Sequence, residues 1–485
     1  MSGTVLKLCR PSKCIFNCTI IRSLSDSKNY TPPPPEHPVK RTLRILGNDV
    51  KTSLGFKKET PLFPHHCDVV IIGGGVIGSS IAYWLKQRTR DGLEVVVVER
   101  DPSYAQASTV LSCGGLCQQF TVPENVQMSL YGAEFLRNIK THLSVPNHEA
   151  PDVRFTPCGY MFLASESSAE HLQEAYKLQK QLGVKTELLS PQQLKERCPW
   201  MNVDDVALAS HGLENEGWID PWSLLGAFKR KARSLGTTYV KAEAVAFEFR
   251  NMQDALVEGM PTGSYESLDR LLVKTDEGDI QPIKFGIAII AAGASSGSVA
   301  RLARIGTGRG ALSVPLPVVL KKRYVYCFHC PEGPGLRAPC LMDSSGIYLR
   351  REGLAGNYIA GISPLPEEEP SVDNLEVDYS FFDNTVWPLL CHRVSQFEHL
   401  MVKSAWAGYC DFNEFDENAI IGPHPAYHNL YLATGFGGHS VQQSAAAGRA
   451  IMEMIIDGGF QTIDLTRFGF ERLIKQEPLL EKNII

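Results

Sequence analysis

The stretch Asp68-Val-Val-Ile-Ile-Gly73-Gly74-Gly75-Val76-Ile77-Gly78, with Glu99 closing the run Val95-Val-Val-Val98 21 residues after Gly78, leaves few folds open to this chain. An apolar run, a glycine turn, a helical pattern with Ile77, Ile81, Trp84 and Leu85 on one face, a second apolar run and an acid together describe a β-α-β unit. Gly73 lets the chain turn sharply off the first strand, Gly75 lets a pyrophosphate approach the backbone, and Gly78 lets the helix pack closely on the sheet. The start of that helix, at Val76 and Ile77, aims free N–H groups and a positive partial charge at the phosphates. The dipole alone is worth only about 0.3–1 kcal/mol when exposed, so donors uncovered by the glycines carry much of the binding. Glu99, with Arg100 beside it, is placed to accept hydrogen bonds from ribose hydroxyls. An acid there disfavours a 2′-phosphate and argues against NADP.

A chain of 485 residues exceeds what one hydrophobic core supports, roughly 250–300 residues, so two domains or two interleaved ones are expected. No apolar run approaches the roughly 18 residues of a membrane span. The first 25 residues carry Lys7, Arg10, Lys13 and Arg22, many Ser and Thr and no acid, the composition of a mitochondrial transit peptide. Removing those four cations takes the formal charge from −5 to about −9, so nucleic acid is a poor partner. Thr31-Pro-Pro-Pro-Pro-Glu-His-Pro38 is extended linker. The 13 cysteines follow no framework spacing and are read as thiols of a reducing compartment. Cys327-Phe-His-Cys330 has metal-ligand spacing, and Cys113 with Cys117 would have to complete it. The strand-like context of Cys327 and the lack of a shared knuckle argue against zinc, and no metal is expected.

Further along, Gln106 to Gly115 is a small-residue loop in which Ser108, Ser112, Gly114 and Gly115 let backbone pass close to a cofactor. Ser190-Pro191 starts a short helix that Cys198-Pro199 stops, and Gly217-Trp-Ile-Asp-Pro221 leads into a helix from Trp222 to Ser234 closed by Gly236. Residues 251–281 have weak periodicity and read as an exposed hairpin or loop. Ile287-Ala-Ile-Ile290 is a second buried strand, ending in Ala291-Ala292-Gly293. Tyr324–Phe328 and Ile347–Leu349 look like antiparallel strands. Leu430-Tyr-Leu-Ala-Thr434-Gly435-Phe436-Gly437-Gly438-His439 then repeats the logic of the first motif, a strand running into a glycine turn before a helix. A simple NAD domain has no use for a second such joint about 350 residues on. FAD is longer and its ring system must be held, which explains all three joints.

These motifs, together with Tyr348-Leu-Arg350, Trp406-Ala-Gly408, Asp416 and Ile420-Ile-Gly422, occur in the order seen in the D-amino-acid oxidase and sarcosine dehydrogenase family, and the chain resembles it from about Cys67 to Gly458. The resemblance implies an α/β fold in which a Rossmann-like FAD-binding domain (67–147, 215–310 and 405–460) is interleaved with a mixed, antiparallel-sheet substrate domain (148–214 and 311–404). A transit peptide (1–25), a linker (26–66) and a C-terminal tail (461–485) complete the map. It implies hydride transfer to FAD from the C–N bond of an amino acid or N-methyl amine, with Tyr348 and Arg350 as substrate ligands, Arg350 through a bidentate carboxylate contact. His439 is expected to pack or hydrogen-bond near the cofactor.

Departures from the family matter as much. Where covalent members carry a histidine this chain has Ser112, which cannot form that bond, and Cys410 does not align cleanly with the cysteine that sarcosine oxidases use, so noncovalent FAD is expected. Gln442 and Cys410 stand where other members place a lysine and an arginine, and Ile359 where oxidases place the lysine that attracts oxygen, which implies a dehydrogenase rather than an oxidase. Within the family the resemblance is strongest to a mitochondrial member that assists assembly of respiratory complex I, through Arg323-Tyr-Val-Tyr326, Trp406-Ala-Gly-Tyr409, Gln461-Thr-Ile-Asp-Leu465 and Asn483-Ile-Ile485. It implies complex I subunits or assembly intermediates as partners, and a place on the matrix side of the inner membrane, peripheral to it. A catalytically silent FAD-binding scaffold is the other reading.

Overall fold

The computed structural model describes residues 63–253 and 265–482. The expected transit peptide, most of the linker and the terminal Asn483-Ile484-Ile485 lie outside the described residues.

The chain crosses repeatedly between two large sheets. It opens with β1 (His66–Ile72) and β2 (Val95–Glu99), paired in parallel around the helix Val76–Thr89. Continuous β-branched runs suit strands covered on both faces, and Val69–Ile72 and Val95–Val98 are all buried. The helix was expected to be amphipathic, yet every residue from Val76 to Lys86 is buried. A second helix, Ser440–Ile456, packs against it. Small residues make that approach possible, since a Cβ on Gly448 would come within 2.3 Å of Ser80 Oγ. The Ser80 hydroxyl donates to Ser444 O (2.8 Å) and Trp84 Nε1–H to Ala445 O (2.9 Å), so the buried polar groups are satisfied.

The next segment holds the two-residue strands β3 (Gly115–Leu116) and β4 (Thr156–Pro157), then β5 (Tyr160–Ala164), β6 (Thr186–Leu189), β7 (Leu208–Gly212) and β8 (Gly217–Trp218). Between β6 and β7 lies the helix Pro191–Arg197, begun by a capping box in which Ser190 and Gln193 satisfy each other's backbone N–H.

The chain then returns through β9 (Thr238–Asn251), β10 (Glu266–Thr275) and β11 (Ile280–Ile290). β9 pairs parallel with β2 up to Lys241 and antiparallel with β10 from Ala242 on, and β11 leaves β10 to run parallel to β1. Residues 266–275 form an antiparallel hairpin with β11, one of the forms expected for 251–281, but the strand is also paired to β9 and buries Leu268, Leu271, Leu272 and Val273, so it is not exposed. Register shifts between Leu268 and Arg270 and between Leu272 and Val273 break the two-residue alternation, which is why the periodicity looked weak.

β12 (Val318–His329), β13 (Cys340–Met342), β14 (Tyr348–Glu352), β15 (Asn357–Gly361) and β16 (Met401–Asn413) complete the second sheet, in the order β16-β12-β15-β14-β13-β5-β7-β6. All its neighbours are antiparallel except β13 and β5. The expected change of domain at 405 falls inside β16, whose pairing with β12 continues to Asn413. Finally β17 (Ile420–Pro423) and β18 (Leu430–Thr434) return to the first sheet, where β18 lies parallel to β11. Each sheet has its own core: Ile71, Val97, Phe228 and Ile289 belong to one, Tyr326, Phe328, Tyr358 and Phe397 to the other.

The last described residues are packed. Buried Arg472 donates from Nε to Asp416 Oδ2 (2.7 Å), Leu479 N–H donates to the same oxygen (3.0 Å), and Asn125 Nδ2 donates to Glu481 (2.6 Å). Removing one member of such a pair leaves a buried charge uncompensated. Arg472→Met is expected to lower unfolding free energy by about 3–5 kcal/mol, read as a shift in the chemical denaturation midpoint at constant slope.

Candidate functional site

Three strand ends meet along the first sheet. β1 stops at Gly73, whose φ of +104° only glycine adopts readily; a Cβ there would sit 2.3 Å from Ala291 O, at the end of β11. Ala292 and Gly293 follow, and Gly293 O accepts from the Thr434 hydroxyl (3.4 Å) at the end of β18. Gly78 is equally fixed, since its Cβ would lie 1.9 Å from Gly73 O. Glu99 receives the Gly74 N–H at 2.8 Å and the Asp101 N–H at 2.9 Å, which leaves lone pairs on a carboxylate that carries about four acceptor sites. Arg100, next to it, is exposed.

Gly75 differs from the other two glycines. Its φ of −63° suits any residue, and a Cβ would meet only Thr109 Oγ1 at 3.6 Å. Nothing in the fold demands glycine there. The demand comes from a group that fills the space a side chain would take, in front of the helix N-terminus at Val76 and Ile77, as the pyrophosphate of a dinucleotide does.

The loop 108–115 is tied to this joint by Thr109 Oγ1, which accepts the Val76 N–H (3.3 Å). Ser108 is half-buried, and Ser112 Oγ accepts the Gly114 N–H (3.1 Å). Gly114 and Gly115 are needed for close approach, to Ile219 O and to the Tyr160 hydroxyl, each 2.1 Å from the would-be Cβ. At the third joint, Gly435 and Phe436 donate their N–H groups to Asp411 Oδ2, both at 3.0 Å, and burial nevertheless pushes that carboxyl up to about 6. Gly437 and Gly438 have φ of +58° and +97°. His439 follows, in edge contact with Phe120 and 3.2 Å from Gln442 Nε2 through Nδ1; desolvation pushes its imidazole down to about 4, so it is neutral and accepts from the amide. Gln442 Oε1 in turn receives the Cys117 N–H (2.7 Å).

On β14 the register places Tyr348 opposite Gly361 and Arg350 opposite Ile359. The Tyr348 hydroxyl is 3.4 Å from Cys113 Sγ; burial pushes both groups up, so phenol and thiol keep their protons. Arg350 Nη2 donates to Cys113 O (3.0 Å), its guanidinium lies 4.2 Å from the centre of the Trp218 ring, and Nη1 is ion-paired to Glu352 at 2.5 Å. Its Nε is buried without a hydrogen-bond partner among the described residues. The two expected substrate ligands thus sit on one strand against the small-residue loop, and one of them already holds a carboxylate.

Several groups here escaped the sequence reading. Glu216, buried on the residue before β8, accepts from Gln118 N–H (2.8 Å), Gln119 Nε2 (3.0 Å) and Tyr160 N–H (3.1 Å), and burial pushes it up to about 7. Asp411 is not singled out there, and Trp218 reads as core or pocket wall. No spacing rule marks Glu216 or Asp411, because each bonds to backbone far away in sequence.

A βαβ unit whose glycine turn meets two further strand ends, beside a mixed sheet bearing aromatic and cationic groups, defines a two-domain, dinucleotide-dependent oxidoreductase. Residues 68–454 match the family model described as FAD dependent oxidoreductase, and the chain belongs to that family. It is 53% identical over 427 residues to FAD-dependent oxidoreductase domain-containing protein 1 of Xenopus laevis, covering 87% of this chain and 85% of that one. It is 25% identical over 431 residues to human mitochondrial sarcosine dehydrogenase, covering 87% of this chain and 43% of that one. Among solved structures it resembles an L-proline dehydrogenase from P. horikoshii, with a TM-score of 0.69 and 24% identity over 86% of this chain and all of the other.

The residues present fit FAD: the Gly75 cradle and Glu99 suit its ADP half, and the turns at Gly293 and Gly435–Gly438 suit the remainder. FAD, when bound, supplies a ring that accepts hydride. The chain's own part is positioning. Tyr348 remains a hydrogen-bond donor and Arg350 a fixed cation, and neither Cys113 nor His439 is charged.

Two outcomes are expected. Gly75→Ala should fold as the wild type does but lose the flavin absorbance and the rise in melting temperature on adding FAD, because the added methyl fills the cradle alone. For His439, the unfolded chain takes up a proton near pH 6.5 and the folded one only near 4. Stability should therefore fall as pH drops from 6.5 towards 4, by about 3 kcal/mol for this group. His439→Gln should flatten that part of the stability curve measured by denaturant unfolding.

Proposed function

We propose that the chain oxidises the C–N bond of a small amine or amino acid by hydride transfer to noncovalently held FAD, passing electrons on as a dehydrogenase. We further propose that it does so on the matrix side of the inner mitochondrial membrane and in support of complex I assembly. The observation that carries the reading is Arg350, a cation held between the Trp218 ring and Cys113 O, beside the Tyr348 hydroxyl, with one buried N–H unused. A guanidinium in that setting suits a substrate carboxylate, and an aromatic wall suits the apolar part of a small amine. Relatives named sarcosine dehydrogenase and 4-methylaminobutanoate oxidase support the substrate class. Cys410 has its thiol pushed up to about 12 by burial, which speaks for noncovalent flavin because the thiolate is the nucleophile. Buried Ile359 opposite Arg350 brings no cation to draw oxygen, which speaks for an acceptor other than oxygen.

One observation favours the silent scaffold: Glu352 already neutralises Arg350. Anaerobic mixing of the yellow protein with N-methyl and D-amino acids separates the readings. The enzyme should bleach, reoxidise faster with a quinone analogue than with oxygen, and release its flavin on acid precipitation. Arg350→Met should cut kcat/KM about 100-fold or more, the loss of roughly 3 kcal/mol of charged contact. It should also fail to restore complex I in depleted mitochondria. A protein that no substrate bleaches, and whose Arg350→Met variant restores complex I fully, is the scaffold.

A further inference from the structure

Ten cysteines among the described residues are free thiols, and two of them touch. Cys158 Sγ lies 3.4 Å from Cys340 Sγ, across 182 residues of sequence. The contact is built by the fold. Cys340 stands opposite Tyr160 in the parallel pairing of β13 with β5, its N–H donates to Gly159 O (3.0 Å), and Gly159 turns the chain at a φ of +74° to bring Cys158 alongside. Cys158 is half-buried and Cys340 is buried.

We propose that Cys158 and Cys340 are a reversible redox site, a dithiol that low-molecular-weight disulfides such as glutathione disulfide convert to an internal disulfide. A disulfide needs its sulfurs about 2.05 Å apart, a closure of little more than 1 Å from the observed contact. Hydrogen bonding from the Cys340 thiol draws Cys158 below the ordinary thiol range, helped by the Arg350 charge, which makes Cys158 the attacking thiolate. Cys113 and Cys117, by contrast, are pushed up by burial.

The reaction runs in two exchanges. Cys158 thiolate attacks one sulfur of the small disulfide, forming a mixed disulfide and expelling a thiolate. Cys340 then loses its proton to that thiolate and attacks Cys158 Sγ, closing the internal bond and expelling the second small thiolate, which takes up the proton that Cys158 released to solvent. The protein loses two protons and two electrons, and the small disulfide is reduced to two thiols. Since Met342 on β13 pairs with Tyr348 on β14, the new bond ties the turn between β4 and β5 to the strand that flanks Tyr348 and Arg350. The proposal is independent of whether the protein turns over a substrate.

The test treats the FAD-loaded full chain with glutathione disulfide and maps peptides without reduction. Expected are a peptide pair linked through Cys158 and Cys340, two fewer titratable thiols, and full reversal by dithiothreitol. Cys340→Ser should stop at a stable glutathione adduct on Cys158, with its flavin absorbance as in the wild type. An adduct that persists on Cys158 in the wild type, a link through Cys113 or Cys117 in its place, or an unchanged thiol count would each overturn the proposal, whatever the variants do.

Discussion

The approach of Gly73 to Ala291, with no side chain between them, is the contact on which the site depends. It lets β1 and β11 end side by side, and the parallel register that pairs Ile72 with Ile290 sets both ends at one level. β18 joins at the same level because Leu432 pairs with Ile290. Parallel strands present their carboxyl ends to one edge, so three turns open along the same rim. A side chain on Gly73 or Gly78 would push the helix Val76–Thr89 off the sheet, and the N–H groups at its start would lose their aim.

Around that rim the fold relies on backbone held by distant side chains. Asp411, on the antiparallel sheet, holds the turn at Gly435 and Phe436; Gln442, on the last helix, holds Cys117; Glu216 holds three donors from two other segments. The two acids are buried with no cation beside them among the described residues and are pushed towards neutrality, a cost borne where the two sheets supply one site. Such groups earn their place through geometry rather than stability.

Arg350 concentrates the functional question. Its contacts with Cys113 O and Trp218 join β14 to the loop and to β8, while its ion pair with Glu352 tempers the charge it can offer. The same arrangement can receive a carboxylate through the unused Nε or serve only as a brace. The choice turns on whether a substrate carboxylate binds the guanidinium more favourably than Glu352 does, a comparison of two charged hydrogen bonds in one semi-buried place.

The glycine turn, the buried Val and Ile strands, the capped helix at Ser190 and the order of the three joints were all written in local sequence, because each follows from backbone conformation or from apolar periodicity over a few residues. Local pattern failed where tertiary packing changed the rule. The helix after Gly75 is buried all round because a second helix covers its outer face, and β10 hid its alternation behind two bulges. By itself the sequence determined a dinucleotide fold with three cofactor-facing turns. Only the tertiary structure decided that Glu352 shares Arg350, that Glu216 and Asp411 are buried, and that Cys158 meets Cys340, because each is a contact between chain segments whose distance apart no short-range rule encodes, or a choice among neighbours made by packing.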